Sequence, residues 1–160
     1  MKFLSPLLTQ KSSSEPGDFI LYHNFKAEFE ADGTKYLMTV PKGFITDFAS
    51  VPKLVQLLPG FGQTGASANA AVVHDFCYCC RGDLMLTFAE FPRLASLELT
   101  RAQCDKLLYL GLRASGYSRV VAGLYYLGVR LGGWLYWYRR RRGLDVRYDF
   151  VPTDFDWSAP

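Results

Sequence analysis

Two short runs of this 160-residue chain bring together an imidazole, two carboxylates and a phenol: His74-Asp75-Phe76-Cys77-Tyr78 and, further on, Cys104-Asp105. His74 and Tyr78 are four apart, so on a helix they share a face. Asp75 then points about a quarter-turn away. Asp105 sits in a second amphipathic stretch that can run antiparallel to the first. If the two helices pair, one carboxylate orients the His74 ring and the other is free for a cation. Such an arrangement suits water activation by a general base. A core histidine tied to a neighbouring carboxylate for structural reasons is the bland alternative, and both readings stand at this point.

The elements that must position these residues follow from pattern and punctuation. Residues 1–18 contain Lys11-Ser12-Ser13-Ser14-Glu15-Pro16-Gly17 and read as a flexible segment. Two strand-like runs follow, Phe19–Glu30 and Lys35–Val40, joined by Ala31-Asp32-Gly33-Thr34, a hairpin signal. Phe25, Ala27 and Phe29 alternate with Lys26, Glu28 and Glu30, as in a half-buried strand. A connector from Pro41 to Pro52 comes next, in which Thr46, Asp47 or Ser50 can cap a short helix beginning near Pro52. Gly60, Gly62 and Gly65 then make a loop.

Three main helices are expected after that. The first covers about Ser67–Cys80 and ends at Arg81-Gly82-Asp83. Thr100-Arg101-Ala102-Gln103 is a capping-box pattern that starts the second, which runs to Gly116. Ser118 caps a third, reaching about Arg140. Leu84–Leu99 is ambiguous, since Pro92 forbids one unbroken helix there. The expected fold class is therefore α+β: a short N-terminal antiparallel sheet, then three helices. Two of these form an antiparallel pair carrying His74 and Asp105, and the Tyr125–Trp137 stretch braces them. A single globular domain over 19–142 and a C-terminal tail over 143–160 complete the organisation.

Nearly half the residues are apolar, enough for a core, and the net charge is +3. The charge is uneven: Arg139, Arg140, Arg141 and Arg142 are consecutive. A run of this kind attracts anionic surfaces, or is simply a solvated helix end. No nucleic-acid recognition motif accompanies it, so no specific nucleic acid is expected. Val120–Tyr138 is apolar apart from Arg130 and imitates a membrane span in length and basic flank. Arg130 near mid-bilayer is costly, so a buried or half-buried helix is preferred over an interfacial one, and a true span comes last. Trp134 and Trp137 beside Arg139, Arg140, Arg141 and Arg142 suit the headgroup layer of a bacterial envelope lipid surface. Pro6 interrupts the apolar start, so no secretory signal is expected. Synthesis in a cytoplasm leaves Cys77, Cys79, Cys80 and Cys104 reduced, and their spacing fits no common zinc pattern.

Gly43-Phe44-Ile45-Thr46-Asp47-Phe48-Ala49-Ser50-Val51-Pro52 followed by Ala70-Ala71-Val72-Val73-His74-Asp75 resembles the tailed-phage and prophage family called domain of unknown function 1353. Val129-Arg130-Leu131-Gly132-Gly133-Trp134 looks like that family's last helix. The resemblance implies a phage or prophage product, made in the host cytoplasm and open to association with the virion. Locally, His74-Asp75-Phe76-Cys77-Tyr78 and Cys104-Asp105 resemble the paired helices of secreted phospholipases A2. That likeness implies His74 as general base, Asp75 as calcium ligand, Asp105 as the group orienting His74, and Tyr78 bonded to Asp105. It also places Cys77 beside Cys104, where those enzymes have a disulfide. Their Gly-rich calcium loop is absent here, so further calcium ligands would come from Asp47, Thr46 or carbonyls of the Phe44–Ser50 connector.

Two functional expectations result. One is a calcium-dependent hydrolase acting on a phospholipid, with a cell-wall bond as second choice. The other is a virion or assembly component that contacts other virion proteins, in which the His-Asp-Tyr-Asp cluster only ties helices together.

Overall fold

In a computed structural model, residues 1–11, 17–48, 66–89 and 93–141 are described. They form an α+β fold with two antiparallel sheets and four helices. The strands are β1 (Lys2–Phe3), β2 (Thr9–Lys11), β3 (Phe19–Leu21), β4 (Phe25–Ala31), β5 (Thr34–Val40), β6 (Ile45–Thr46), β7 (Asp83–Phe88) and β8 (Leu94–Glu98). The helices are α1 (Ala66–Cys79), α2 (Arg101–Ala114), α3 (Arg119–Gly132) and α4 (Trp134–Arg141). One sheet has the order β1-β4-β5-β7-β8 and the other β2-β3-β6.

The β4–β5 hairpin turns at Asp32 and Gly33, both at positive φ (50° and 75°), with Ala31 facing Thr34. Two consecutive left-handed residues match the right-handed twist of the strands, which is why Asp-Gly serves there. The turn fixes a register that turns Phe25, Ala27 and Phe29 inward with Met38 and Val40. These side chains pack on Val72, Val73 and Cys77 of α1. Helix α1 is apolar on nearly every side, as a helix buried between a sheet and other helices must be.

Helices α1 and α2 run antiparallel and touch closely. A Cβ on Gly111 would lie 2.8 Å from the Cβ of Ala70, so the glycine sets how near the two backbones come. Thr100 caps α2 with the full reciprocal box to Gln103, and Ser118 caps α3 through Val121 N–H. A second core cluster joins Ala70, Leu108 and Leu112 to Ala122, Tyr125 and Val129, which seats α3 on the pair.

Four expectations need correction. The sheet is larger than a short N-terminal one, because Asp83–Phe88 and Leu94–Glu98 are strands that extend it. Alternation decides this: Leu84 and Leu86 are buried, whereas Asp83 is exposed and Thr87 only half-buried. Lys2–Phe3 and Thr9–Lys11 are strands that pair with β4 and β3, since backbone N–H and C=O groups of both partners are satisfied that way. Phe19–Glu30 is two strands in different sheets rather than one run. The third helix breaks at Gly133, where a Cβ would come within 2.6 Å of both Tyr78 Oη and Val129 O. Only glycine admits that approach, and one turn further on Trp137 meets Tyr78 edge-on, ring centroids 5.1 Å apart. No helix among the described residues is long and apolar enough to cross a membrane. The short helix near Pro52, the loop at Gly60–Gly65, Pro92, Arg142 and the tail lie outside the described residues.

Candidate active site

The antiparallel pairing puts α1 residues 74–78 opposite α2 residues 104–105. Asp105 has no exposed surface and is the hub. Its Oδ1 accepts from His74 Nε2 at 3.1 Å and from the Tyr78 hydroxyl at 2.6 Å. Its Oδ2 accepts from an Arg130 guanidinium nitrogen at 2.8 Å, with Arg101 at 3.7 Å from the same oxygen. Burial alone would push the Asp105 carboxyl up, but the bonds from His74, Tyr78 and Arg130 outweigh it and hold the group below its ordinary value.

On the other side of the ring, Nδ1 of His74 faces Asp75 Oδ1 at 3.7 Å. The second oxygen of Asp75 accepts from the Thr46 hydroxyl at 2.5 Å, which ties β6 to α1. The same Thr46 oxygen accepts from Phe48 N–H, in the positive-φ turn that follows β6. Burial would depress the His74 pKa, yet the two carboxylates outweigh it and raise it to about 9. At neutral pH the ring is therefore a cation between two anions. Burial, with the bond to Asp105, pushes the Tyr78 hydroxyl well above the ordinary tyrosine value, so it remains a donor. The Tyr78 ring lies 4.2 Å from that of His74, centroid to centroid.

Cys77 and Cys104 are both buried free thiols. The neighbouring Cys104 thiol, and then burial, raises Cys77 well above the ordinary thiol value, so it is held as the neutral S–H.

His74, Tyr78 and Asp105 are thus brought together as one cluster, with Asp75 on its flank. Asp47 is half-buried and follows Thr46, which is the connector residue that bonds Asp75. Calcium takes six to eight oxygens. Asp75 already gives one oxygen to Thr46 and turns the other to His74, and no three acidic, histidine or cysteine side chains among the described residues converge on one point. Trp137 is 5% exposed and packs on Tyr78, so it is a wall of the cluster and not a surface anchor.

The cations of the cluster are not apparent from the His-Asp and Cys-Asp runs. Arg130, which is costly at mid-bilayer, reaches from α3 to Asp105 instead. Its signal was its isolation: a lone guanidinium in an apolar helix calls for an anion. Arg101 was read only as part of a cap, yet it donates to the carbonyls of Val129 and Arg130 while flanking Asp105. Burial raises the cost of any unpaired charge here, which is why three helices converge on one carboxylate.

Fold and site together define an α+β domain whose helices are joined through a buried His–Asp–Tyr cluster. The chain belongs to the family described as Protein of unknown function (DUF1353), whose model matches residues 23–129, about two thirds of its length. The match spans β4 through most of α3 and includes His74, Tyr78 and Asp105. No curated protein and no solved structure matches the chain.

Proposed function

We propose that the chain is a small hydrolase of phage or prophage origin, with His74 as general base and an envelope phospholipid ester as substrate. One observation carries the reading: Asp105 Oδ1 receives both His74 Nε2 and the Tyr78 hydroxyl. This is the arrangement that the phospholipase A2 likeness implies for these three residues. The phage origin rests on the order and spacing of the Gly43–Pro52, Ala70–Asp75 and Val129–Trp134 motifs.

With its Nε2–H donated to the Asp105 carboxylate, the neutral ring presents Nδ1 to a water. The water oxygen adds to the ester carbonyl as its proton moves to Nδ1. That proton returns to the departing alkoxide, which leaves a carboxylic acid and an alcohol. The flanking carboxylates stabilise the imidazolium formed on the way. They also keep most of the ring protonated until the pH nears about 9, so turnover rises with pH up to that point. His74 is 3% exposed, so an ester reaches Nδ1 only when a neighbouring group moves aside.

That same burial favours a second reading, a virion or assembly component in which the cluster ties α1, α2 and α3 together. Fatty-acid release from monomeric short-chain phospholipid separates the two. On the hydrolase reading, His74→Gln loses at least about a hundredfold in turnover while its far-ultraviolet dichroism matches wild type. A wild-type protein that releases nothing, together with a His74→Gln chain that unfolds, leaves only the structural role.

A further inference from the structure

Helix α3 carries two apolar stripes back to back. Ala122, Tyr125 and Val129 are buried against α2. On the opposite side, Val120, Leu124, Leu127 and Leu131 recur at intervals of four, three and four, so they form one line. All four are exposed, Val120 to 72% and Leu131 to 76%. Helix α4 adds Trp134 and Tyr138, each 53% exposed. Singly exposed leucines need no explanation, but a line of four leading into two aromatics does.

The charge along this part of the sequence has one sign. From residue 106 to residue 144 the chain has Lys106, Arg113, Arg119, Arg130 and Arg139–Arg142, and not one Asp or Glu. Arg130 is spent on Asp105. The other cations answer no acid within that stretch of sequence.

From this geometry we infer that the outer face of α3, continued by α4, is a docking surface for an anionic phospholipid bilayer. The helix would lie in the plane of the interface, leucines toward the acyl chains and Trp134 and Tyr138 at headgroup level. Cations around the stripe would meet the anionic headgroups. A second copy of this chain fits less well, since two acid-free cationic helices repel when stacked. The aliphatic line offers nucleic acid no hydrogen-bond donors. The anchor differs from the one read in the sequence: Trp137 is replaced by the α3 stripe.

Binding can be read without turnover, so the inference stands or falls separately from the chemistry of His74. The full chain is floated with vesicles of phosphatidylcholine, with and without phosphatidylglycerol. We expect flotation with the anionic vesicles and at least about tenfold weaker partition onto the zwitterionic ones. Leu127→Glu combined with Leu131→Glu should weaken anionic partition by at least about tenfold, since each leucine contributes its burial. Gly123→Glu serves as a second variant: a Cβ there meets no atom within 4 Å, so the fold has no cause to change. It should lower partition in the same direction. Absent flotation, or flotation that both variants leave intact, overturns the inference. So does a wild-type dimer that the double variant turns into a monomer, which would assign the face to a second copy.

Discussion

The two sides of His74 are built differently. Toward Asp105 everything is closed: no exposed surface, three hydrogen-bond donors, and contributions from α1, α2 and α3. Toward Asp75 the nearer carboxylate oxygen stands 3.7 Å from Nδ1, and its other oxygen accepts from the Thr46 hydroxyl of β6. The first side fixes the ring's position. The second ties the flank of the ring to β6 through Asp75 and Thr46.

The contrast is broken most directly at the hub. Asp105→Ala strands a buried histidine and tyrosine and a half-exposed arginine, and should cost about 3–5 kcal/mol in urea unfolding. A variant as stable as wild type would show that the three helices do not depend on this carboxylate.

Next in size is the pH dependence. The folded His74 pKa of about 9 lies above its ordinary 6.5, so the ring's charge stabilises the fold fully below about pH 6.5. The contribution falls as pH rises through about 9, and its full size is on the order of 3 kcal/mol. Histidine carbon shifts followed by NMR, with unfolding at each pH, measure both quantities. Asp105 has the opposite sign: its contribution is lost as pH falls through its lowered folded value.

The smallest effect lies on the Asp75 side. Thr46→Val removes the donor on Asp75 and should cost about 1–2 kcal/mol, while the bond between His74 and Asp105 persists. A loss as large as that of Asp105→Ala would erase the difference between the sides.

Much of this was legible in the chain. The Asp32-Gly33 turn, the Thr100 capping box and the four-residue spacing of His74 and Tyr78 are local signals, and each lies where its pattern indicated. The pairing of α1 with α2 came from likeness, because no local rule says which helix a helix will meet. Strands β7 and β8 were obscure since Pro92 and short apolar runs leave helix and strand equally open until a sheet edge is available. Thr46 was weighed as a possible oxygen donor to a cation, and its actual partner, the Asp75 carboxylate, is distant in sequence. Arg130 was mistaken because a cation in an apolar helix reads the same whether its anion lies in another helix or is missing.

Trp137 has an experimental use that follows from the break at Gly133. Its indole touches Tyr78, whose hydroxyl rests on the buried carboxylate, so its emission reports on the cluster from within. With Trp134 and Trp157 changed to phenylalanine, the chain keeps one tryptophan of its three. Occupancy, protonation and opening at the cluster then become visible as fluorescence, with no label attached.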